Sequence, residues 1–157
     1  MRKSQLLLVA LIILAPQTSV TQTNERQDLG SIVRQFTSAF NAQDVDAMIA
    51  LVSDDVRWIY VNRSSMSAEL EGKQALANSM RDYFASCKSC RSKIHGMTCS
   101  TERVGVVEVA SWEGPSGTKS QASMAIYEFT GQLIQTVYYF PEETEISNHV
   151  FNGNCDC

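Results

Sequence analysis

Arg103-Val-Gly-Val-Val-Glu-Val-Ala-Ser-Trp112, Ser120-Gln-Ala-Ser-Met-Ala-Ile-Tyr-Glu-Phe129 and Gln132-Leu-Ile-Gln-Thr-Val-Tyr-Tyr-Phe140 follow one another with two short interruptions. All three runs are rich in β-branched and aromatic residues, the composition that suits a pleated, half-buried surface. The interruptions, Glu113-Gly114-Pro115-Ser116-Gly117 and Thr130-Gly131-Gln132, carry residues that reverse a chain at little steric cost. The segment therefore reads as one long antiparallel meander. Strands this long and this close together bend around something.

What they bend around lies upstream. Leu29, Ile32, Val33, Phe36 and Phe40 recur on one face of a helix over about 25–42. Asp44 can cap a second, short helix in which Val45, Met48, Ile49 and Val52 share a face, ended by Ser53-Asp54-Asp55. Val56, Trp58 and Tyr60 then alternate with Arg57, Ile59 and Val61 as a strand, followed by a polar loop over 62–69. A third helix over about 72–86 turns Leu76, Met80, Tyr83 and Phe84 inward, and a less regular strand over 92–101 leads into the meander. The fold class is α+β: three helices at the N-terminal side and a curved, mostly antiparallel sheet. No repeat or linker interrupts it. Asn62-Arg63-Ser64 is a formal glycosylation sequon, a triplet common by chance.

The first residues set the compartment. Arg2 and Lys3 precede an apolar run over 6–15, then Pro16 and a small, polar stretch over 17–23. This is the layout of a cleaved secretory signal, taken as residues 1–22, and it is too short for a spanning helix, which needs about 20 apolar residues. An exported, periplasmic or secreted protein with no membrane attachment after cleavage is expected, comprising a domain over 23–145 and a tail over 146–157. Losing Arg2 and Lys3 moves the formal net charge from −4 to −6. An acidic chain without a Lys/Arg cluster argues against nucleic-acid partners.

Five cysteines, Cys87, Cys90, Cys99, Cys155 and Cys157, are disulfide candidates in an exported chain, and the odd count leaves at least one for other use. Cys87-Lys-Ser-Cys90 has redox-motif spacing, but it follows a helix instead of opening one, where the dipole disfavours a thiolate. A structural staple is the reading preferred, with the Cys155/Cys157 tail held back to the Cys87/Cys90 corner. No metal site and no cofactor are implied by the ligand spacings.

Strand parity groups Val106, Glu108, Ala110 and Trp112 on one face, with Trp112 inward. Glu108 would then be a carboxylate in an apolar cavity, where desolvation raises its pKa towards general acid/base range. A flipped or edge-exposed strand would leave it solvated. His95 on the preceding strand could face it, although a lone histidine is more often a packing residue. Trp58, Tyr60, Tyr127 and Tyr139 have the parity of pocket walls. Val107, Val109, Met124 and Ile126 fall on the opposite face, an apolar patch that suggests a homodimer.

The stretch from Phe36 through Asn41-Ala-Gln-Asp-Val-Asp-Ala-Met48 to Asp54-Asp55-Val56-Arg57-Trp58 resembles the opening of NTF2-like proteins of the SnoaL-like branch. Glu71-Gly72-Lys73 at the start of the third helix and Phe129-Thr-Gly-Gln-Leu-Ile-Gln-Thr-Val-Tyr-Tyr139 agree with it. The resemblance implies a cone, the sheet wrapped around the helices with a pocket at its open end. In the family's ketosteroid isomerases an aspartate base works with a tyrosine and a protonated aspartic acid. Those positions fall here on Tyr60, Phe36 and Ala125, so that chemistry is not expected, while Phe36 and Ala125 join the pocket residues.

Fold does not fix function. Three readings stay open: a protein that binds a small apolar or aromatic molecule in the cone; an enzyme of isomerase, cyclase or dehydratase type using Glu108 for proton transfer; and a homodimeric assembly module without ligand.

Overall fold

The computed structural model describes residues 28–141. The signal segment and the cysteine tail lie outside them. In order the chain forms α1 (Leu29–Ala42), α2 (Val45–Ala50), β1 (Val52–Val61), β2 (Met66–Glu71), α3 (Lys73–Ser86), β3 (Arg91–Cys99), β4 (Arg103–Gly114), β5 (Gly117–Thr130) and β6 (Leu133–Pro141). The strands build one curled sheet in the order β2-β1-β6-β5-β4-β3, with helices packed into its curve.

Helices α1 and α2 begin where a side chain satisfies a free N–H group. Asp28 Oδ1 accepts from the Gly30 N–H (3.1 Å), and Asp44 Oδ1 from the Ala47 N–H (2.9 Å). Gly72 precedes α3 with φ 88°, a conformation cheap only for glycine, while its N–H donates to the Val56 carbonyl (2.7 Å). The β5–β6 reversal needs two residues, Gly131 (φ 61°) and Gln132, with glycine first as a type II′ hairpin requires.

Two expectations change. Ser53-Asp54-Asp55 does not end α2 but opens β1; Asp55 takes hydrogen bonds from Ser53 (2.8 Å) and from Gln135 on β6 (3.2 Å), so its polarity serves the strand pair. The stretch expected as a loop over 62–69 holds the first four residues of β2, an edge strand exposed along most of its length. The sheet is antiparallel at every seam but one: β1 runs parallel to β6, Trp58 beside Val137 and Tyr60 beside Tyr139.

The core lies between α1, α2, α3 and the inner face. Ile32, Val33, Phe36, Met48, Leu76 and Phe84 meet Val52, Val104, Val106, Tyr127, Ile134 and Val137, all buried. Parity along β4 and β5 is as the pattern predicts: Ala125 is 1% exposed and its neighbour Met124 57%. On the outer face Met124 stands opposite Val107 and Phe140, and Ile126 opposite Tyr138.

Candidate functional site

Every element of the fold contributes to one cavity of about 300 Å³. Helix α1 supplies Phe36 and Phe40, α2 Met48, and α3 Met80 and Tyr83. The strands supply Trp58, Glu69 and Leu70, Ser92, Glu108 and Ala110, Ser123 and Tyr127, and Tyr139. The size is at the lower end for a small-molecule site, and the mix of aromatic walls with a few polar groups is typical of one.

The rings have a definite arrangement. Trp58 and Tyr139 are neighbours across the parallel seam, centroids 6.3 Å apart and planes inclined by 40°. Phe36 meets Tyr127 edge-on at 6.2 Å, and Phe40 packs on Tyr83 (5.9 Å) and Phe84 (5.2 Å). Tyr83 reaches out of the wall to Cys90, its hydroxyl 3.2 Å from Sγ. Cys87 and Cys90 stand sulfur to sulfur after α3, Cα atoms 5.4 Å apart. Cys155 and Cys157, expected to hold the tail to this corner, lie outside the described residues. Cys99, at the end of β3, is engaged as well.

The polar centre is Glu108. Its Oε2 accepts from the Ser92 hydroxyl (2.8 Å), and among the described residues no cation pairs with it. Burial raises its pKa and the Ser92 bond opposes the rise. Tyr127 titrates well above the ordinary tyrosine value, first because it is buried and then because Glu108 and Tyr139 stand close. Burial likewise raises Tyr139, against a hydrogen bond from Ser123.

Ser92 is held by a residue that strand patterns do not reveal. Asn41, near the end of α1, donates through Nδ2 to the Ser92 carbonyl (2.7 Å) and accepts at Oδ1 from the Ser92 N–H (2.7 Å). β3 is an edge strand, and this amide completes its free backbone groups as a further strand would. Asn41 thus fixes Ser92, and Ser92 fixes Glu108.

Of the residues singled out from sequence, Phe36, Trp58, Glu108, Tyr127 and Tyr139 line the cavity. Four do not. Ala125 is buried in the core; Tyr60 touches the site only through Tyr139, ring centroids 6.3 Å apart. Trp112 is on the inner face, yet it pairs with Lys119 near the hairpin turn, beyond Ala110, the last β4 residue on the cavity. His95 falls in a bulge where the register jumps from Ile94 opposite Glu108 to Gly96 opposite Val107, so Ile94 takes the place expected for it. No metal-holding cluster of His, Cys, Asp or Glu occurs among the described residues. Nor is any helix among them long and apolar enough to cross a membrane. The positions corresponding to the ketosteroid isomerase groups hold a ring, a second-row tyrosine and a methyl, none of them a carboxylate.

Solved structures share this architecture. A cystatin-fold protein from Novosphingobium aromaticivorans matches with a TM-score of 0.64 at 20% identity, covering 72% of this chain and 97% of its own. A putative polyketide cyclase from Xanthomonas campestris pv. campestris matches at 0.54 and 23%, covering 73% and 90%. A hypothetical protein of ketosteroid isomerase-like fold from Catenulispora acidiphila, solved with trimethylamine, matches at 0.60 and 13%, covering 69% and 83%. At these identities the likeness establishes the fold. Among curated proteins none matches the sequence. The SnoaL-like domain family matches residues 33–137, most of the described chain, and with the cone, its order of elements and its pocket on the page, this chain belongs to the SnoaL-like family of NTF2-like proteins.

Proposed function

We propose that this chain binds a small, largely apolar or aromatic molecule in the cone. The observation that carries the reading is the cavity itself: ring and methionine surfaces from α1, α2, α3 and the sheet converge on a space they leave unfilled. Apolar surface kept out of a packed core costs stability, about 25 cal/mol per Å², and a bound molecule recovers it. Mass spectrometry of an organic extract of the natively purified protein tests this. One small molecule, at near-stoichiometric amount and lost in Trp58→Ala, is expected; the same extract from wild type and variant would refute it.

A second reading is proton transfer on the bound molecule by Glu108, in an isomerase, cyclase or dehydratase type of reaction. The specific support is a cavity carboxylate whose pKa burial raises and whose orientation Ser92 holds. Turnover abolished in Glu108→Gln with binding retained would establish it, and unchanged turnover would end it.

The residue pattern over 1–22 supports export, which N-terminal sequencing of the mature protein tests. In an oxidising compartment Cys87 and Cys90 would form a disulfide, seen as a two-dalton mass increase on reduction. We also propose a homodimer through the outer sheet face. Val107, Met124 and Ile126 there form an apolar ridge that a second copy, related by a two-fold axis, covers with the same residues.

A further inference from the structure

The cavity has aromatic walls, but its charge is one-sided. Among the described residues two carboxylates border it, Glu108 and Glu69, and no lysine, arginine or histidine does. Glu108 receives one hydrogen bond, from Ser92, and no cation. A carboxylate withdrawn from water in such surroundings either stays protonated or acquires a positive partner, because an uncompensated buried charge is costly. A neutral apolar ligand would worsen that desolvation by displacing the water that remains. An anion would add repulsion.

Two of the rings that share the cavity with Glu108 suit a positive partner. With centroids 6.3 Å apart and planes inclined by 40°, Trp58 and Tyr139 do not cover each other, so π surface stays open to the cavity. A cation within about 6 Å of such a ring centroid is attracted by its quadrupole, most strongly for tryptophan. Glu108 and Tyr139 come from neighbouring parts of the sheet, each facing a residue pair on β5, Ser123 and Ala125. Carboxylate and rings therefore address one ligand.

We propose that the molecule the cavity takes is an organic cation, an amine or quaternary ammonium carried on a small apolar or aromatic body, held between the Glu108 carboxylate and the faces of Trp58 and Tyr139. This rests on the reading of the cavity as a binding site and adds the charge of the ligand. Ser123 and the Ser92 hydroxyl orient the groups around the cation, and Phe36, Phe40 and Met80 enclose the apolar body.

Calorimetric titration with benzyltrimethylammonium and its uncharged carbon isostere, neopentylbenzene, tests it, since the two share a shape and differ in charge. The cation is expected to bind about tenfold tighter or more, a ratio worth about 1.4 kcal/mol. Glu108→Gln should remove most of that preference and leave the part that the Trp58 and Tyr139 faces supply. Equal affinity in wild type, or preference for the isostere, overturns the charge assignment and leaves the binding reading standing. Binding of neither probe overturns both. The wild-type ratio decides the matter even if Glu108→Gln fails to fold.

Discussion

On the inner face of β4 and β5, Glu108 and Ser123 stand opposite each other beneath the helices; on the outer face of the same strands, one residue away, Val107 stands opposite Met124. Ser123 is buried beside a half-buried Glu108, while Met124 is 57% exposed beside a half-buried Val107, so a polar side chain is sheltered where an apolar one is not. A half-buried carboxylate without a cation and an exposed methionine each cost stability when left alone, and the readings proposed above give each a partner. The inner face meets a small molecule and the outer face a second copy, in the readings proposed above.

The contrast can be broken most sharply at the inner face. Tyr127 is 2% exposed and packs on Phe36, so Tyr127→Ala should cost about 3–5 kcal/mol in urea unfolding. Met124→Ala should cost about 0.5 kcal/mol or less in the isolated protomer. Comparable losses would mean that the outer face is as structural as the core.

Asn41→Ala should follow at about 1–3 kcal/mol, because it strips both partners from the Ser92 backbone on an edge strand. Ligand affinity should fall with it, as Ser92 and then Glu108 lose their register. A stability loss with affinity unchanged would separate the clamp from the site.

Glu108→Gln tests the sign of the buried charge. Burial places the folded-state pKa above the ordinary 4.5, so folding favours the protonated form. That contribution is complete below the ordinary value and is lost as pH rises through the folded value. Tyr127, Tyr139 and Ser92 face Glu108 from β5, β6 and β3, and among the described residues no charged group does. The glutamine variant should therefore gain on wild type as pH rises above the ordinary 4.5 in parallel thermal unfolding. A gap that does not change with pH would mean that Glu108 is solvated.

The smallest thermodynamic effect belongs to Met124→Glu. Protomer stability should move by about 0.5 kcal/mol or less, while light scattering should shift from dimer to monomer. A wild-type monomer at micromolar concentration would remove the outer-face partner altogether.

Much of this contrast can be read from residue order. The alternation in β4 and β5 puts Glu108 and Ala125 on one face and Met124 on the other without any structure, because strand periodicity is exact. The spacing of Leu29, Ile32, Val33, Phe36 and Phe40 likewise yields α1. β2 escapes such a reading because Met66-Ser-Ala-Glu-Leu-Glu71, an edge strand, buries only part of Leu70 and leaves no alternation. The bulge at His95 shifts parity by one residue, and periodicity cannot foresee where a bulge falls. Asn41 and Ser92 are 51 residues apart, and nothing local marks an asparagine as the surrogate partner of a strand. The cavity was legible as a set of inward rings. Its depth was not: Trp112 has the right parity but stands too far along its strand.

The parallel seam between β1 and β6 has a consequence for assembly. Trp58 sits on the first strand made and Tyr139 on the last, and they become neighbours only when the two strands zip together in the middle of the sheet. Pairings of such long sequence separation form late, after the loop entropy of the whole domain has been overcome. The nascent chain therefore has no binding wall, and no closed sheet, until β6 has emerged. Under the export proposed above, a chain held open until β6 is made would stay threadable, as passage through a translocation channel requires.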